Sequence, residues 1–282
     1  MPLNQVNVDV DWLSDNLDRD DVVVVDGSWH LPPAKRDPKQ EFEDGHIKGA
    51  RFFDLDKHSD QSTTLAHMMP SAEQFGREMG ELGITETDTI VVYDTVGLFS
   101  AARIWWMFRQ FGAVKTYVLD GGLPAWQAAG LPLDTGIETI EPKTFKAQLV
   151  SSIIVDIDTV KQAVTSDDGA LILDARGNDR FTASAPEPRP EVRGGHMPGA
   201  VNMHYASLLD ADKKLLAPEQ LQQSFDAAGY DPANETIASC GSGVTACIIL
   251  MALERLGHPN AKLYDGSWSE WGTQTDTPIE VG

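Results

Sequence analysis

The chain carries the same series of motifs twice, and this duplication limits the folds that it can adopt. In each half a β-branched run ends at an aspartate, a Gly-His-x-x-Gly-Ala motif follows, a second β-branched run comes next, and an Asp-Gly motif precedes a tryptophan. The members of each pair are 145 to 150 residues apart, and the pairs are Asp26 with Asp174, Gly45 with Gly195, Asp94 with Cys240, and Asp120 with Asp265. Four blocks repeated in one order predict two copies of a single domain.

Each copy alternates short β-branched runs with helical stretches. The clearest helices are predicted over residues 100–111 and 244–256, and each is followed by a glycine, Gly112 or Gly257, as is typical of a helix C-terminus. This alternation predicts an α/β fold of two tandem domains, each with a mostly parallel sheet flanked by helices. We predict a first domain over 1–136, a linker over 137–150, and a second domain over 151–282.

The charge balance excludes several kinds of partner. Lys and Arg number 22 against 43 Asp and Glu, which gives a formal net charge of −21. Such a surface repels nucleic-acid phosphates and anionic lipid headgroups, so neither nucleic acid nor a membrane is an expected partner. The N-terminus lacks the basic and apolar regions of a signal peptide, and two cysteines are too few for a disulfide framework. We therefore expect a cytoplasmic protein, and two self-complementary domains favour a monomer.

Features present in both copies are interpreted as demands of the fold. His46 and His196 are predicted to be turn histidines with satisfied hydrogen bonds, and Asp26 and Asp174 are predicted to cap the turns that follow their strands. We expect the tryptophans of both copies to pack in the cores; these are Trp105, Trp106, Trp126 and Trp271.

A feature present in one copy only is a candidate for chemistry. Cys240 directly follows a strand and precedes the Gly-Ser-Gly turn that leads into a helix, whereas the first copy has Asp94 at this position. Small residues allow backbone N–H groups to point inward, and the helix N-terminus adds positive potential. We therefore expect Cys240 to act as a thiolate nucleophile, at one site per chain. Cys247, two turns into an apolar helix, is expected to belong to the core.

A phosphatase is the first alternative to consider for such a loop. Cysteine phosphatases require an arginine six residues after the cysteine, and this position is Ala246. An uncharged loop suits a thiolate and a sulfur atom better than a phosphate dianion, so the sequence disfavours this alternative.

The duplicated domain, the two Gly-His-x-x-Gly-Ala blocks, the CGSGVTA loop and the YDGSW-x-EW block resemble the rhodanese-type sulfurtransferases over almost the whole chain. That family combines an inactive first domain with a catalytic cysteine in the second. The CGSGVT form resembles its members that use 3-mercaptopyruvate, whereas those that use thiosulfate tend to carry basic residues where Gly241 and Ser242 stand here.

The resemblance implies a function and a set of site residues. Cys240 would take sulfur from a small anionic donor, 3-mercaptopyruvate, and release pyruvate. A thiol, a thioredoxin-like protein or cyanide would then accept the sulfur. Neither a metal nor an organic cofactor is implied. The persulfide would be held by the backbone amides of the loop, which includes Gly241, Gly243, Val244 and Thr245.

Arginines are expected to bind the donor, because a planar guanidinium fork matches a carboxylate. By resemblance these are Arg180 and Arg189, while Arg176 and Arg193 are interpreted as surface arginines paired with carboxylates. By resemblance, too, Asp56, His67 and Ser242 would form a proton relay beside Cys240.

Two alternatives remain open on the sequence. One is a thiosulfate:cyanide sulfurtransferase, and the other is a non-catalytic sulfur-carrier or redox-sensing protein in which Cys240 is modified without turnover.

Overall fold

The computed structural model describes residues 5–149, 153–166 and 169–282, and these divide into two compact units. Among the described residues, unit 1 contains 5–61, 69–149 and 211–214. Unit 2 contains 62–68, 153–166, 169–210 and 215–282. Most of each unit is therefore one continuous half of the chain, with a short segment from the other half added to each.

Unit 1 is built on a sheet of five parallel strands in the order β1-β6-β5-β2-β4. The strands of this sheet are β1 (Asn7–Val8), β2 (Val22–Asp26), β4 (Arg51–Phe52), β5 (Thr89–Tyr93) and β6 (Thr116–Leu119). A separate antiparallel pair is formed by β3 (His46–Ile47) and β7 (Leu133–Asp134). The helices are α1 (Val10–Asn16), α2 (Pro38–Asp44), α3 (Ala72–Glu81), α4 (Ala101–Gln110) and α5 (Gly122–Ala128).

Unit 2 has a second five-stranded parallel sheet, in the order β10-β9-β11-β12-β8. Its strands are β8 (Ile154–Val155), β9 (Leu171–Asp174), β10 (Val201–Asn202), β11 (Thr236–Ser239) and β12 (Lys262–Tyr264). Its helices are α6 (Ile157–Thr165), α7 (Asn178–Phe181), α8 (Pro218–Ala227), α9 (Ala246–Arg255) and α10 (Ser267–Trp271).

The two sheets have the same topology. In each, the first strand in sequence lies at one edge and pairs with the last, and the strand that ends before Asp94 or Cys240 lies at the centre. This repeat of strand order confirms the predicted α/β fold and the duplication.

The two predicted long helices form, and each begins later than predicted. Helix α4 begins at Ala101 and α9 at Ala246, because the residues before them belong to the strand-to-helix loops. Gly112 and Gly257 have φ angles of 98° and 89°, so the predicted glycines do end these helices in the left-handed conformation. Cys247 is fully buried in α9, as predicted.

Both cores contain the tryptophans that the sequence places inside, and all of these are buried: Trp105, Trp106, Trp126 and Trp271. The two histidines of the repeated motif are also buried, and each ring nitrogen Nδ1 lies within hydrogen-bond distance of a phenylalanine carbonyl, at 2.7 Å for His46 and 2.9 Å for His196. The sequence predicts both histidines in turns, but His46 lies on strand β3 and His196 forms a β-bridge with Glu280.

The predicted aspartate caps form in both units. Asp26 Oδ1 accepts the N–H of Ser28, and Asp174 Oδ1 accepts the N–H of Arg176, each at 2.9 Å. The same two-residue turn therefore follows the same strand in each copy, as expected for a feature that the fold requires.

The segment predicted as a linker packs on unit 1 along helix α3. The N–H of Lys143 donates to the carbonyl of Gly80 at 2.9 Å, and Phe145 is buried. A Cβ atom at Gly80 would lie 2.5 Å from the carbonyl oxygen of Lys143, so glycine is needed for this close approach. The predicted boundary between residues 150 and 151 lies outside the described residues.

In the part of the chain that the structure describes, no helix is long and apolar enough to cross a membrane.

Asp26 gives a testable pH dependence. Burial, the largest cause, raises the pKa of Asp26 to about 6. Because the folded state binds this proton more tightly than the unfolded chain, the stabilisation from protonation is complete below about pH 4 and is lost as the pH rises through about 6. We expect Asp26→Asn, which keeps the oxygen that caps Ser28, to raise the free energy of unfolding by about 2 to 3 kcal/mol at pH 7.

Urea denaturation at pH 4 and pH 7 measures this effect, with the exposed Asp20→Asn as the matched control. The gain should be far smaller at pH 4 than at pH 7, and an equal change at both would contradict the assignment to Asp26.

Candidate active site

Cys240 lies at the carboxyl end of the central strand of unit 2. Strand β11 ends at Ser239, and the loop over residues 241–245 leads to helix α9. The side chain of Cys240 is almost wholly buried, and its carbonyl accepts the N–H of Trp268 at 2.9 Å. The position of the cysteine thus follows from a buried strand, a glycine-containing loop and a helix start, as the sequence predicts.

The matching loop of unit 1 holds an anion. The Asp94 carboxylate accepts four backbone N–H groups: Oδ1 bonds Val96 and Gly97 at 2.9 and 3.0 Å, and Oδ2 bonds Phe99 and Ala101 at 2.7 and 3.0 Å. A loop of this type between a central strand and a helix therefore gathers amides around a negative group. In unit 1 Asp94, which directly follows strand β5, is itself that group and stands where unit 2 has Cys240.

In unit 2 a serine hydroxyl takes part of the role that the carboxylate has in unit 1. Ser267 Oγ accepts the N–H groups of Cys240 and Gly243, at 3.2 and 3.1 Å, and donates to the carbonyl of Tyr264 at 2.8 Å. The N–H of Gly243, which the sequence predicts to face the sulfur, thus has Ser267 as an acceptor. The loop is also one residue shorter than its counterpart in unit 1.

Arg180 packs against the loop next to Cys240. A Cβ atom at Gly241 would lie 3.1 Å from Arg180 Nη2, so the absence of a side chain at Gly241 lets the guanidinium approach the backbone. The Arg180 side chain is 20% exposed, which leaves part of the cation open to a ligand. The structure therefore brings a predicted donor-binding arginine next to the predicted nucleophile.

Arg180 is held by a chain of buried charges. Its Nε and Nη2 groups donate to Glu187, and Glu187 also accepts Nη1 of Arg176 at 2.9 Å. Arg176 is in turn paired with Asp174 at 2.7 Å and packs 4.2 Å from the ring centroid of Trp268. Arg176 is paired with carboxylates as predicted, but it is buried, so the expectation of a surface residue is wrong.

Arg189 reaches the same loop through a serine. Its Nη1 group donates to Ser269 Oγ at 2.9 Å, and the Ser269 hydroxyl donates to the carbonyl of Gly241. Arg193, by contrast, binds backbone carbonyls and the Thr277 hydroxyl, which accepts Nη2 at 2.7 Å. The prediction that Arg193 pairs with carboxylates is therefore wrong, because the chain end after α10 supplies neutral acceptors.

Two of the three predicted relay residues are in contact. His67 Nδ1 lies 2.8 Å from Ser242 Oγ, and both side chains are buried in unit 2. His67 has a φ angle of 63°, a left-handed conformation that a histidine seldom adopts. Asp56 belongs to unit 1, where its Oδ2 accepts the indole N–H of Trp29 at 3.2 Å. The pairing of Asp56 with His67 stays a prediction.

Acidic and phenolic groups lie behind the loop. The Tyr264 hydroxyl donates to Glu270 Oε2 at 2.9 Å. Burial raises the pKa of Tyr264. Burial also raises the pKa of Glu270, with a smaller contribution from the negative charge of Asp156, and the hydrogen bond from Tyr264 opposes this rise. Burial therefore shifts both groups towards their neutral forms.

No group of three His, Cys, Asp or Glu side chains within the described residues is arranged to hold a metal ion.

Sequence reasoning missed three residues of this site: Glu187, Ser267 and Ser269. A signal for Ser267 exists, because the aligned Asp-Gly block of the first copy has Gly122 at that position, and the difference marks it as copy-specific. Glu187 lies between Pro186 and Pro188. When the copies are aligned on their Gly-His motifs, Glu187-Pro188-Arg189 matches Asp37-Pro38-Lys39 of the first copy, so the internal comparison does not mark Glu187 as copy-specific.

Comparison with known proteins gives concordant results. Residues 9–129 and 156–274 each match the rhodanese-like domain family. The 3-mercaptopyruvate sulfurtransferase of Escherichia coli K12 is 40% identical over 274 residues, which cover 97% of each chain. Thiosulfate/3-mercaptopyruvate sulfurtransferase 1, mitochondrial, of Arabidopsis thaliana is 42% identical over 294 residues, covering 97% of this chain and 77% of that protein.

A solved structure agrees with the sequence matches. The crystal structure of SseA, a 3-mercaptopyruvate sulfotransferase from Escherichia coli, has a TM-score of 0.86 and 38% sequence identity, and covers 94% of this chain and 99% of SseA. With both repeats matched and relatives aligned over nearly the full length, the chain belongs to the rhodanese family as a protein with two tandem rhodanese-like domains.

Proposed function

We propose that this protein is a 3-mercaptopyruvate sulfurtransferase, which moves the sulfur of 3-mercaptopyruvate through a Cys240 persulfide to a thiol or cyanide and releases pyruvate. The observation that supports the proposal is that the nucleophile and two cations are all linked to one residue, Gly241. Gly241 follows Cys240, packs against the Arg180 guanidinium, and bonds through its carbonyl to the Ser269 that holds Arg189. The name of the Escherichia coli relative supports the choice of 3-mercaptopyruvate as donor, whereas the Arabidopsis relative is named for both 3-mercaptopyruvate and thiosulfate.

The first step follows from the chemistry of these groups. The Cys240 thiolate attacks the sulfur of 3-mercaptopyruvate, an S–S bond forms, and the carbon–sulfur bond breaks. The electron pair of that bond passes to the carbon and gives the enolate of pyruvate, which Arg180 and Arg189 stabilise at its carboxylate and oxygen. The proton of the donor thiol ends on that carbon, so persulfide and pyruvate form without an external oxidant or reductant.

The proton has to move from sulfur to carbon within the site. His67 and Ser242 are suited to this transfer, because they share a hydrogen bond of 2.8 Å and Ser242 is two residues from Cys240. Imidazole exchanges protons near neutral pH, and we propose that Asp56 fixes its tautomer.

The second step returns the cysteine to its first state. The thiolate of an acceptor, for example of a thioredoxin-like protein, or cyanide attacks the outer sulfur of the persulfide. The S–S bond to Cys240 then breaks and the Cys240 thiolate leaves. Because sulfur itself is the transferred group, this cycle needs no metal or organic cofactor.

The setting we propose is the cytoplasm, with the protein as a monomer and without nucleic acid or membrane partners. The net charge of −21 disfavours binding to nucleic acid and to anionic membranes, and the two free cysteines fit a reducing compartment. Microscopy of a tagged protein and its elution volume on a sizing column test these two expectations.

We expect Cys240 to be the residue that carries the transferred sulfur. Exposure of the wild type to 3-mercaptopyruvate without an acceptor should add the mass of one sulfur atom to the peptide that contains Cys240, and Cys240→Ser should remove both this adduct and turnover. Mass spectrometry of the digested protein measures the adduct, with Cys247→Ser as the matched control that keeps it. Turnover that survives in Cys240→Ser would exclude the proposal.

Kinetics on the same protein separate the alternatives. A higher kcat/KM for thiosulfate with cyanide than for 3-mercaptopyruvate would favour a thiosulfate:cyanide sulfurtransferase. A single stoichiometric release of pyruvate, without steady turnover in excess thiol, would favour a sulfur carrier or redox sensor. Hydrolysis of aryl phosphates would instead reopen the phosphatase alternative.

We expect Arg180 and Arg189 to bind the donor. Arg180→Ala and Arg189→Ala should each raise KM for 3-mercaptopyruvate by about 10- to 100-fold, because each removes a charge-assisted hydrogen bond to the donor. Arg77→Ala, an exposed arginine of unit 1, is the control. An unchanged KM in both variants would exclude a donor-binding role.

We expect His67 and Ser242 to act in proton transfer to the carbon of the leaving enolate. His67→Gln and Ser242→Ala should lower kcat with 3-mercaptopyruvate by about 100-fold, since general acid catalysis at the carbon is lost. With thiosulfate the leaving group is sulfite, which needs no proton on carbon, so kcat should fall much less. Equal losses with the two donors would contradict the relay.

A further inference from the structure

Ser267 occupies a backbone conformation that disfavours side chains. It begins helix α10 with a φ angle of 50°, in the left-handed region. The first copy has Gly122 at this position, with a φ angle of 58° at the start of α5. Both units therefore require the same left-handed residue, and glycine is the residue that meets this requirement without strain.

The space around this position is also tight. In unit 1 a Cβ atom on Gly122 would lie 2.5 Å from the carbonyl oxygen of Asp94. In unit 2 the serine is nevertheless present and completely buried. A strained and buried serine, at a place where the fold accepts glycine, indicates that its hydroxyl has a function.

The hydroxyl is fully used within the nucleophile loop. It accepts the N–H groups of Cys240 and Gly243 and donates to the Tyr264 carbonyl, which is the full capacity of a hydroxyl with one donor and two acceptor sites. The three bonds tie the residue that carries the sulfur, the middle of the loop, and the neighbouring strand β12 to one atom.

The corresponding loop of unit 1 shows which group the Ser267 hydroxyl oxygen replaces. There the N–H of Gly97, which corresponds to Gly243, donates to the Asp94 carboxylate at 3.0 Å. The Asp94 carboxyl group thus organises the loop of unit 1. The sulfur of Cys240 changes through the cycle and accepts hydrogen bonds weakly when it is protonated, so the loop of unit 2 needs a second organiser.

We infer that Ser267 is a positioning residue, whose hydroxyl holds the Cys240 loop in its anion-binding conformation whether or not the sulfur carries charge. The inference rests on the proposed function, because it assigns a role within that same site. Loss of the hydroxyl would let the loop amides turn away from the sulfur, and the thiolate would lose stabilisation.

The test compares Ser267→Ala and Ser267→Gly in the full-length protein. Both remove the hydroxyl, while the glycine variant also removes the left-handed strain. Ala183→Gly is the matched control, because Ala183 is an exposed residue of unit 2 with a φ angle of 61° and no hydroxyl to lose. All three variants keep the titratable and charged groups around the loop, which are Arg180, Arg189, Glu187, His67, Tyr264 and Glu270.

The main readout is the pH dependence of Cys240 alkylation by iodoacetamide, with Cys240→Ser giving the background from Cys247. We expect the pH midpoint to rise by about one unit in both Ser267 variants, so that alkylation at pH 7 slows by about tenfold. The kcat for 3-mercaptopyruvate should fall with little change in KM, and thermal unfolding verifies that each variant is folded.

Three results would overturn the inference: an unchanged midpoint in both Ser267 variants, a lowered midpoint, or the same shift in Ala183→Gly. The failure of the proposed function is a separate outcome. It would appear as a wild type that releases no pyruvate from 3-mercaptopyruvate, while the alkylation profiles remain measurable.

Discussion

The gathering of backbone N–H groups around a hydrogen-bond acceptor at the end of the central strand is the interaction that organises the same loop in both units. Parallel strands end at one edge of a sheet, and the loop that connects the central strand to the next helix collects amide groups that the helix cannot pair. In unit 1 these amides bind the Asp94 carboxylate within the same chain. In unit 2 the corresponding position carries a sulfur atom, whose charge and substituent change during the proposed cycle. This difference, together with the shorter loop and the Ser267 hydroxyl, distinguishes the proposed reactive loop from the structural loop of unit 1.

Charge around Cys240 is arranged in pairs, although the chain as a whole is strongly acidic. Asp174, Arg176, Glu187 and Arg180 alternate in sign from the strand end to the loop. Breaking a buried pair is costly, so each member fixes the next, and the guanidinium of Arg180 is oriented before a ligand arrives. Glu187 occupies the Nε and Nη2 groups of Arg180, which leaves Nη1 for the proposed donor. In the proposed function an anionic donor would thus be recognised by the oriented cations of Arg180 and Arg189 rather than by a generally positive surface.

Much of this structure follows from comparing the two halves of one sequence. The duplication predicted the parallel sheets, the tryptophan cores and the aspartate caps, because those features depend on local patterns present twice. The same comparison singled out Cys240. It did not predict that Arg176 is buried, since burial of an arginine depends on partners such as Glu187 that are distant in sequence until the chain folds. Nor did it predict the contact of His67 with Ser242, which joins residues 175 positions apart.

The carboxylate of Asp94 has a consequence for how the first repeat could be changed. A ligand that is covalently part of the chain occupies its own binding loop at a very high effective concentration, so no free anion can displace it. Exchanging this residue for cysteine would not be enough to create a second reactive centre. The loop there is one residue longer, and Gly122 offers no hydroxyl to hold it once the acid is gone. Reactivity in the first repeat would therefore require several coordinated substitutions, at Asp94, at Gly122 and in the length of the loop.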